Sequence, residues 1–202
     1  MKPDRLNALT DGVVAIAITI VVLELPVPRD AGWAGVREVL PILSAYLLSF
    51  INIGIFWNNH HHVMMTAEHI DGRVMWPNLA MLFFLSLVPF DIRWIDKAHF
   101  GALPVAAYGA ILLGAGLSYQ LIERALVALH GDDGTLAKAI GDDWKGKLSM
   151  LGFASGIGLA FVSVWLAIAV YVAVVIAWII PDPRIEKQVI RDKRGSSRKG
   201  AK

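Results

Sequence analysis

Polar side chains that could bind ions or carry protons stand at the ends of otherwise apolar segments. Arg5 and Asp11 belong to the apolar run that ends at Leu25, and three consecutive histidines, residues 60–62, close the next apolar run. A charged pair at the mouth of a membrane-length helix is costly to keep unless it has a task. These residues are therefore the first candidates for function.

The three histidines do not form a recognisable metal site. Neighbouring residues on a helix point in different directions, so three adjacent imidazoles cannot easily share one ion. The H-E-x-x-H spacing of zinc enzymes is absent, and the chain has no cysteine. A hydrogen-bonded network with Arg5, Asp11 and Asn78 is the more economical interpretation, because buried polar groups need partners. The near-neutral titration of histidine would also permit pH sensing.

No motif of an enzyme is present. The chain lacks a G-x-S-x-G turn, a Walker loop and paired carboxylates within its apolar segments. We therefore predict a protein that is not an enzyme, with no metal and no cofactor.

The elements that must position these residues are membrane-spanning helices. The chain has 202 residues, of which 56% are hydrophobic and 18% charged, and its mean hydropathy is +0.56. Such a composition indicates an integral membrane protein. We predict an all-α membrane protein with six transmembrane helices, the last two separated by a turn at residues 161–165. One long tilted helix there, giving five spans, is the alternative. The predicted spans cover about 5–25, 36–59, 74–94, 104–129 and, in two parts, 148–180.

Orientation follows from the distribution of lysine and arginine. The loops on the side of both termini carry most of the basic residues, which predicts that both termini are cytoplasmic. Residues 1–182 form one six-helix domain, and residues 183–202 form a basic cytoplasmic tail that we expect to be disordered. Nucleic-acid binding by this tail is disfavoured, because no aromatic residues alternate with its charges.

A helical wheel of the first span separates two groups of residues. Ile16, Ile20 and Leu23 share one stripe with Thr19 at its edge, whereas Asp11 points away from it, toward neighbouring helices. Arg5 could line a cytoplasmic vestibule or bend to pair with Asp11. From periodicity alone, packing or lipid contact is the favoured role of the stripe.

The N-terminal segment resembles a known signature. Arg5-x-x-x-Leu9-Thr10-Asp11 is similar to the R-x-x-x-F-S-D motif of the transmembrane protein 175 potassium channel family, with leucine for phenylalanine and threonine for serine. The resemblance extends through most of residues 5–185. Its further motifs are Trp57-x-Asn59-His60-His61, Trp76-x-Asn78, Val88-Pro-Phe90 and Ile179-Ile-Pro-Asp182.

The resemblance implies a prokaryotic member of this family, a multi-pass protein of the inner or plasma membrane. Four subunits would surround a central pore lined by the first helix of each. The implied activity is a leak-type flux of potassium, selective over sodium, and the implied partners are potassium ions, the lipid bilayer and further copies of the chain. The implied pore constriction is Ile16, Ile20 and Leu23, and Thr19 is the implied hydroxyl layer for cation preference.

The resemblance also implies a structural polar cluster that joins the first helix to the second and third. Its implied members are Arg5, Asp11, His60, His61, Trp76 and Asn78.

Two other functions remain open on the residues. A proton-coupled secondary transporter could use the Asp/His cluster as a relay, although inverted repeats and interrupted helices are not evident. A membrane scaffold without transport would use the apolar stripe only for packing. No T-V-G-Y-G carbonyl filter exists in the chain, so a channel would need a hydrophobic constriction instead.

Overall fold

A computed structural model describes residues 2–23, 25–65, 67–131 and 144–179. This part of the chain contains six α-helices. Four of them are long and apolar enough to cross a membrane, and α6 is a shorter apolar helix. The helices are α1 (Asp4–Leu23), α2 (Trp33–Met65), α3 (Gly72–Lys97), α4 (Ala102–His130), α5 (Trp144–Ala160) and α6 (Val164–Ile179). The predicted tail, residues 183–202, and the last three residues of the Ile179-Ile-Pro-Asp182 motif lie outside the described residues.

The predicted break between the last two helices is confirmed. α5 ends at Ala160, and α6 begins at Val164. The amides of Val162 and Ser163 donate to the carbonyl of Leu159, and the carbonyl of Ser163 accepts from the amides of Leu166 and Ala167 in the first turn of α6. A single long helix, the five-span alternative, is therefore wrong for this chain.

α2 is longer than the hydropathy pattern predicts. Its 33 residues run past Asn59 and include all three histidines, ending at Met65. At 1.5 Å per residue this helix is about 50 Å long, more than the hydrocarbon core requires. The polar end of the apolar run is therefore not the end of the helix.

α3 and α4 form the centre of the subunit. α3 buries ten residues along its length, and α4 buries twelve, including Tyr108 and Leu112. α5 and α6 pack on α4 and on each other. Glycines allow the close approach of α6, because a Cβ atom at Gly109 of α4 or Gly156 of α5 would collide with the ring of Tyr171. α1 packs on α3 and α2 at the edge of the subunit.

Candidate functional site

The apolar stripe of α1 is exposed in the subunit. Ile16, Ile20 and Leu23 have exposed fractions of 59%, 39% and 78%, and Thr19 is also exposed. The opposite face of the helix packs on the rest of the subunit. Its buried residues are Leu6, Thr10, Val14, Ala17 and Val21. One helix thus presents a packed face inward and the predicted constriction residues outward.

The hydroxyl of Thr19 is oriented by its own helix. Its Oγ1 lies 2.9 Å from the carbonyl oxygen of Ala15 and 3.0 Å from that of Ile16, and donates its single hydrogen to them. The lone pairs of the oxygen are then left free on the exposed side of the helix. Thr19 can therefore accept a hydrogen bond or contact a cation from this face.

A buried polar group joins α1, α2 and α3. The amide nitrogen of Asn78 donates to Thr10 Oγ1 at 3.1 Å, and His60 Nε2 lies 2.7 Å from Asn78 Oδ1. Because a carbonyl oxygen only accepts, His60 Nε2 carries the hydrogen of this bond. All three side chains are buried. We call Thr10, His60 and Asn78 the buried triad.

A second, more exposed group surrounds Asp11. The indole nitrogen of Trp57 donates to Asp11 Oδ1 at 2.8 Å, which confirms that Asp11 points toward a neighbouring helix. The ring of His61 stacks on Trp57 with centroids 5.6 Å apart. Asp11 therefore ties α1 to α2 through a tryptophan.

The three histidines point in different directions, as predicted from their spacing. His60 contacts Asn78 and His61 stacks on Trp57, whereas His62 Nδ1 lies 2.7 Å from the carbonyl oxygen of Asn58 in its own helix. Each imidazole thus has a different principal contact, and the rings of His61 and His62 also lie edge to face with centroids 6.1 Å apart.

Two residues of the predicted polar cluster stand apart from it in the subunit. Arg5 is exposed in the first turn of α1, and no ion pair between Arg5 and Asp11 occurs among the described residues. A spacing of six residues places the two side chains on different sides of a helix, which accounts for their separation. Trp76 is 74% exposed on α3.

The structure also reveals polar residues that the sequence analysis did not select. Thr10 and Trp57 lay within the quoted motifs, and each bonds directly to a predicted residue. Asp91 is fully buried in α3, and neither of its carboxylate oxygens has a hydrogen-bond partner within the described ranges. An ionisable residue two positions after Pro89, inside an apolar span, was the available signal for Asp91.

Comparisons with known proteins identify similar channels. The sequence model described as the endosomal/lysosomal potassium channel TMEM175 matches residues 5–89. A potassium channel of Chryseobacterium sp. (strain P1-3) is 42% identical over 189 residues, which cover 94% of this chain and 98% of that protein. A potassium channel of Streptomyces collinus (strain DSM 40733 / Tue 365) is 30% identical over 178 residues, covering 83% and 86% of the two chains.

A solved structure has the same fold. The crystal structure of a lysosomal potassium-selective channel TMEM175 homolog from Chamaesiphon minutus matches with a TM-score of 0.73 and 24% identity, over 87% of this chain and 95% of that chain. The segment matched by the sequence model, residues 5–89, contains the exposed stripe of α1, the buried triad and Asp11 with its partner Trp57.

Proposed function

The chain belongs to the TMEM175 family of potassium channels, and on this basis we propose that it is a potassium-permeable leak channel selective for potassium over sodium. Four copies would assemble around a central axis in a prokaryotic cell membrane, with both termini in the cytoplasm. In this arrangement α1 of each subunit lines the pore, and Ile16, Ile20 and Leu23 form its narrowest part.

The exposed apolar stripe of α1 is the observation that carries this proposal. A single subunit cannot enclose a pore, but the stripe lies on the side of α1 that its own subunit leaves free. Copies related by rotation about an axis parallel to α1 would bring these faces together. The potassium-channel family model matches the residues of this helix, and this favours a pore over simple lipid contact.

The chemistry of the stripe implies a particular mechanism of selection. Side chains of isoleucine and leucine offer no ligand to an ion, so a ring of them forms a barrier that closes by dewetting when it is narrow. Potassium gives up hydration water more readily than sodium, so it crosses such a barrier more easily. Thr19 lies among these residues with lone pairs free, and it would replace part of the lost hydration.

The buried triad would set which face of α1 meets the axis. Thr10 lies on the packed face of α1, and Asn78 and His60 hold it from α3 and α2. Rotating α1 away from this position would separate buried polar groups from their partners, which costs about 1–3 kcal/mol for each group left unsatisfied. The same contact therefore keeps the stripe directed outward.

A proton-coupled transporter is the less favoured function. A relay would need Asp11 and the histidines in one hydrogen-bonded chain. Trp57, which only donates through its indole nitrogen, stands between Asp11 and His61, and His60 bonds to Asn78 instead. This arrangement favours structural bracing over proton transfer.

Potassium flux into liposomes containing the purified full chain tests the proposed pore. We expect Ile16→Asn to raise the flux of potassium and sodium at least several-fold, because a polar side chain wets the constriction. Val22→Asn is the matched control: Val22 is also exposed on α1 but lies off the stripe. Absence of any cation flux in the wild type, or equal fluxes in the two variants, would contradict the proposal.

The hydroxyl layer has its own test. Thr19→Val keeps the shape of the side chain and removes the oxygen, so we expect the ratio of potassium to sodium flux to fall while the protein stays folded. Reversal potentials in mixed potassium and sodium solutions measure this ratio. Ser155→Ala is the control, since this exposed serine on α5 also donates only to its own helix. An unchanged ratio in Thr19→Val would show that the hydroxyl has no part in selection.

A further inference from the structure

An apolar cavity of about 350 Å³ opens between α2, α3, α4 and α6, away from α1. Each of the three hydroxyl groups in its wall already makes a hydrogen bond within the protein. Ser44 donates to Leu40, Tyr108 bonds to Ser49 and Asn52, and Tyr171 donates to Val105. Because the rest of the wall is made of apolar and aromatic side chains, the cavity suits an apolar ligand, and its volume lies within the usual range for ligand pockets.

The mouth of the cavity opens on the outer surface of the apolar helices. Two residues of its wall, Leu40 on α2 and Trp165 on α6, are 51% and 64% exposed. Both belong to apolar helices, and tryptophan is typical of the level where hydrocarbon meets headgroups. A lipid chain could therefore enter from the side without crossing water.

The turn between α3 and α4 holds an aromatic residue against this cavity in an unusual conformation. Phe100 has a φ of 58°, in the left-handed region that residues other than glycine rarely adopt. Its ring forms part of the cavity wall and stacks on Trp165, with centroids 5.8 Å apart. Backbone strain of this kind persists only where surrounding structure enforces it, and it concentrates at ligand sites.

A cation stands above the cavity on the same helix face. Arg37 precedes Leu40, Pro41 and Ser44 of the cavity wall by three, four and seven residues, so their side chains lie in one row along α2. Arg37 is exposed, and none of the described carboxylates forms an ion pair with it. Its Cα atom lies about 10 Å along the helix axis from that of Ser44.

We propose that this cavity and Arg37 form a binding site for an anionic phospholipid, with one acyl chain in the cavity and the phosphate at Arg37. The occupant must combine a negative head that accepts hydrogen bonds from a guanidinium with a thin apolar chain about 10 Å further into the membrane. A phospholipid has both parts at this spacing. The site is separate from the proposed pore and does not depend on it.

Native mass spectrometry of the delipidated full chain, titrated with single lipids, tests the site. We expect saturable binding of one dioleoylphosphatidylglycerol per subunit, about fivefold tighter than dioleoylphosphatidylcholine, the preference that one arginine near a lipid headgroup provides. Ala45→Phe fills the cavity from α2, and Val172→Phe fills it from α6. Both variants should lose the saturable binding of both lipids.

Matched controls separate the cavity from the general surface. Leu43→Phe adds the same ring to an exposed position of α2 outside the cavity and should bind both lipids like the wild type. Arg37→Gln should keep the binding of a lipid but lose the preference for phosphatidylglycerol, whereas Arg29→Gln, which changes an exposed arginine outside α2, should keep it.

Several outcomes would overturn the proposal. The cavity is not the site if the wild type binds no lipid saturably, or if Ala45→Phe and Val172→Phe bind as the wild type does. Arg37 has no role if Arg37→Gln keeps the lipid preference. A change of oligomeric mass in the two filled variants, without a change in lipid binding, would assign the cavity to a neighbouring copy of the chain. The two substitutions that fill the cavity lie on different helices. If one variant fails to fold, the other can still test the site.

Discussion

Asn78 holds three helices together through one side chain. Its amide nitrogen donates to Thr10 of α1, and its carbonyl oxygen accepts from His60 of α2. Each partner is buried, so neither can turn to water if the asparagine is removed. The energetic effect of this residue therefore exceeds that of an ordinary side-chain hydrogen bond.

Asn78→Ala should lower the free energy of unfolding by at least about 2 kcal/mol, since it leaves two buried polar groups unsatisfied at about 1–3 kcal/mol each and also creates a small cavity. Thermal unfolding of the purified protein in detergent measures the loss. Ser118→Ala is the control, because Ser118 is also buried but donates only to a carbonyl of its own helix. Equal effects of the two substitutions would contradict a joining role for Asn78.

Single residues were predictable from the sequence where their surroundings are local. The spacing of adjacent histidines predicted three separate directions, and the wheel predicted that Asp11 turns toward a neighbouring helix. The partner of Asp11 was not predictable in this way, because Trp57 lies 46 residues away in the sequence. The place of Asp91 inside an apolar span was a local signal, but its burial results from the packing of α3 against helices that are distant in the sequence.

α1 is the element whose two faces have different surroundings, one buried and one exposed. Its buried face carries Thr10 and small apolar residues that fit against α3 and α2, and its exposed face carries larger apolar side chains with Thr19 among them. The apolar residues alternate so evenly that hydropathy alone could not tell which face would pack. The hydrogen bond between the buried Thr10 and Asn78 distinguishes the two faces, because it favours one rotation of the helix.

The N-terminus of α3 depends on a charged cap. Asp71 accepts a hydrogen bond from the amide of Arg73 and pairs with its guanidinium at 2.9 Å. The hydrogen bond from the Arg73 side chain lowers the pKa of the Asp71 carboxyl below its ordinary value of 3.8. The ionised form therefore stabilises the start of the helix that carries Asn78.

Acid should weaken this cap. A carboxyl whose pKa is lower in the folded state stabilises fully above the unfolded value of 3.8, and this stabilisation is lost as the pH falls through the folded value. Asp71→Asn keeps a capping oxygen without the charge, so the drop in melting temperature below pH 3.8 should be smaller in this variant than in the wild type. Thermal unfolding at several pH values measures it. Identical pH profiles would show that Asp71 does not contribute to the acid response.

Helix boundaries were predictable where the chain itself interrupts a helix. Ser163 and the residues before it form a turn that the length of the apolar run required, and the structure confirms it. The end of α2 was not predictable from hydropathy, because a helix does not have to stop where the membrane does. His60 consequently lies inside a helix and can reach Asn78.

At the scale of the whole molecule, the stripe of α1 has a function only if subunits meet. α5 packs on α4 and α6, whereas α1 packs on α2 and α3, so these two helices occupy different parts of the subunit. Assembly around α1 would cover the stripe and leave α5 at a distance from the axis. The sequence of one chain does not encode the number of copies in any local motif, so the proposed tetramer rests on the resemblance to the family.

Cross-linking can test the assembly directly because the chain contains no cysteine. A single cysteine at Leu23, near the end of the stripe, should be joined to the same residue of another subunit by a short bis-maleimide, giving a covalent dimer of twice the 22.1 kDa of one chain, the limit for one thiol per chain. A cysteine at Leu151, an exposed residue of α5, should give far less product under the same conditions. Equal yields at the two positions, or no cross-linked dimer at Leu23, would rule out a pore lined by α1. Leu23 and Leu151 are comparably exposed in the single subunit. A difference in cross-linking yield between them therefore reports how the copies are arranged.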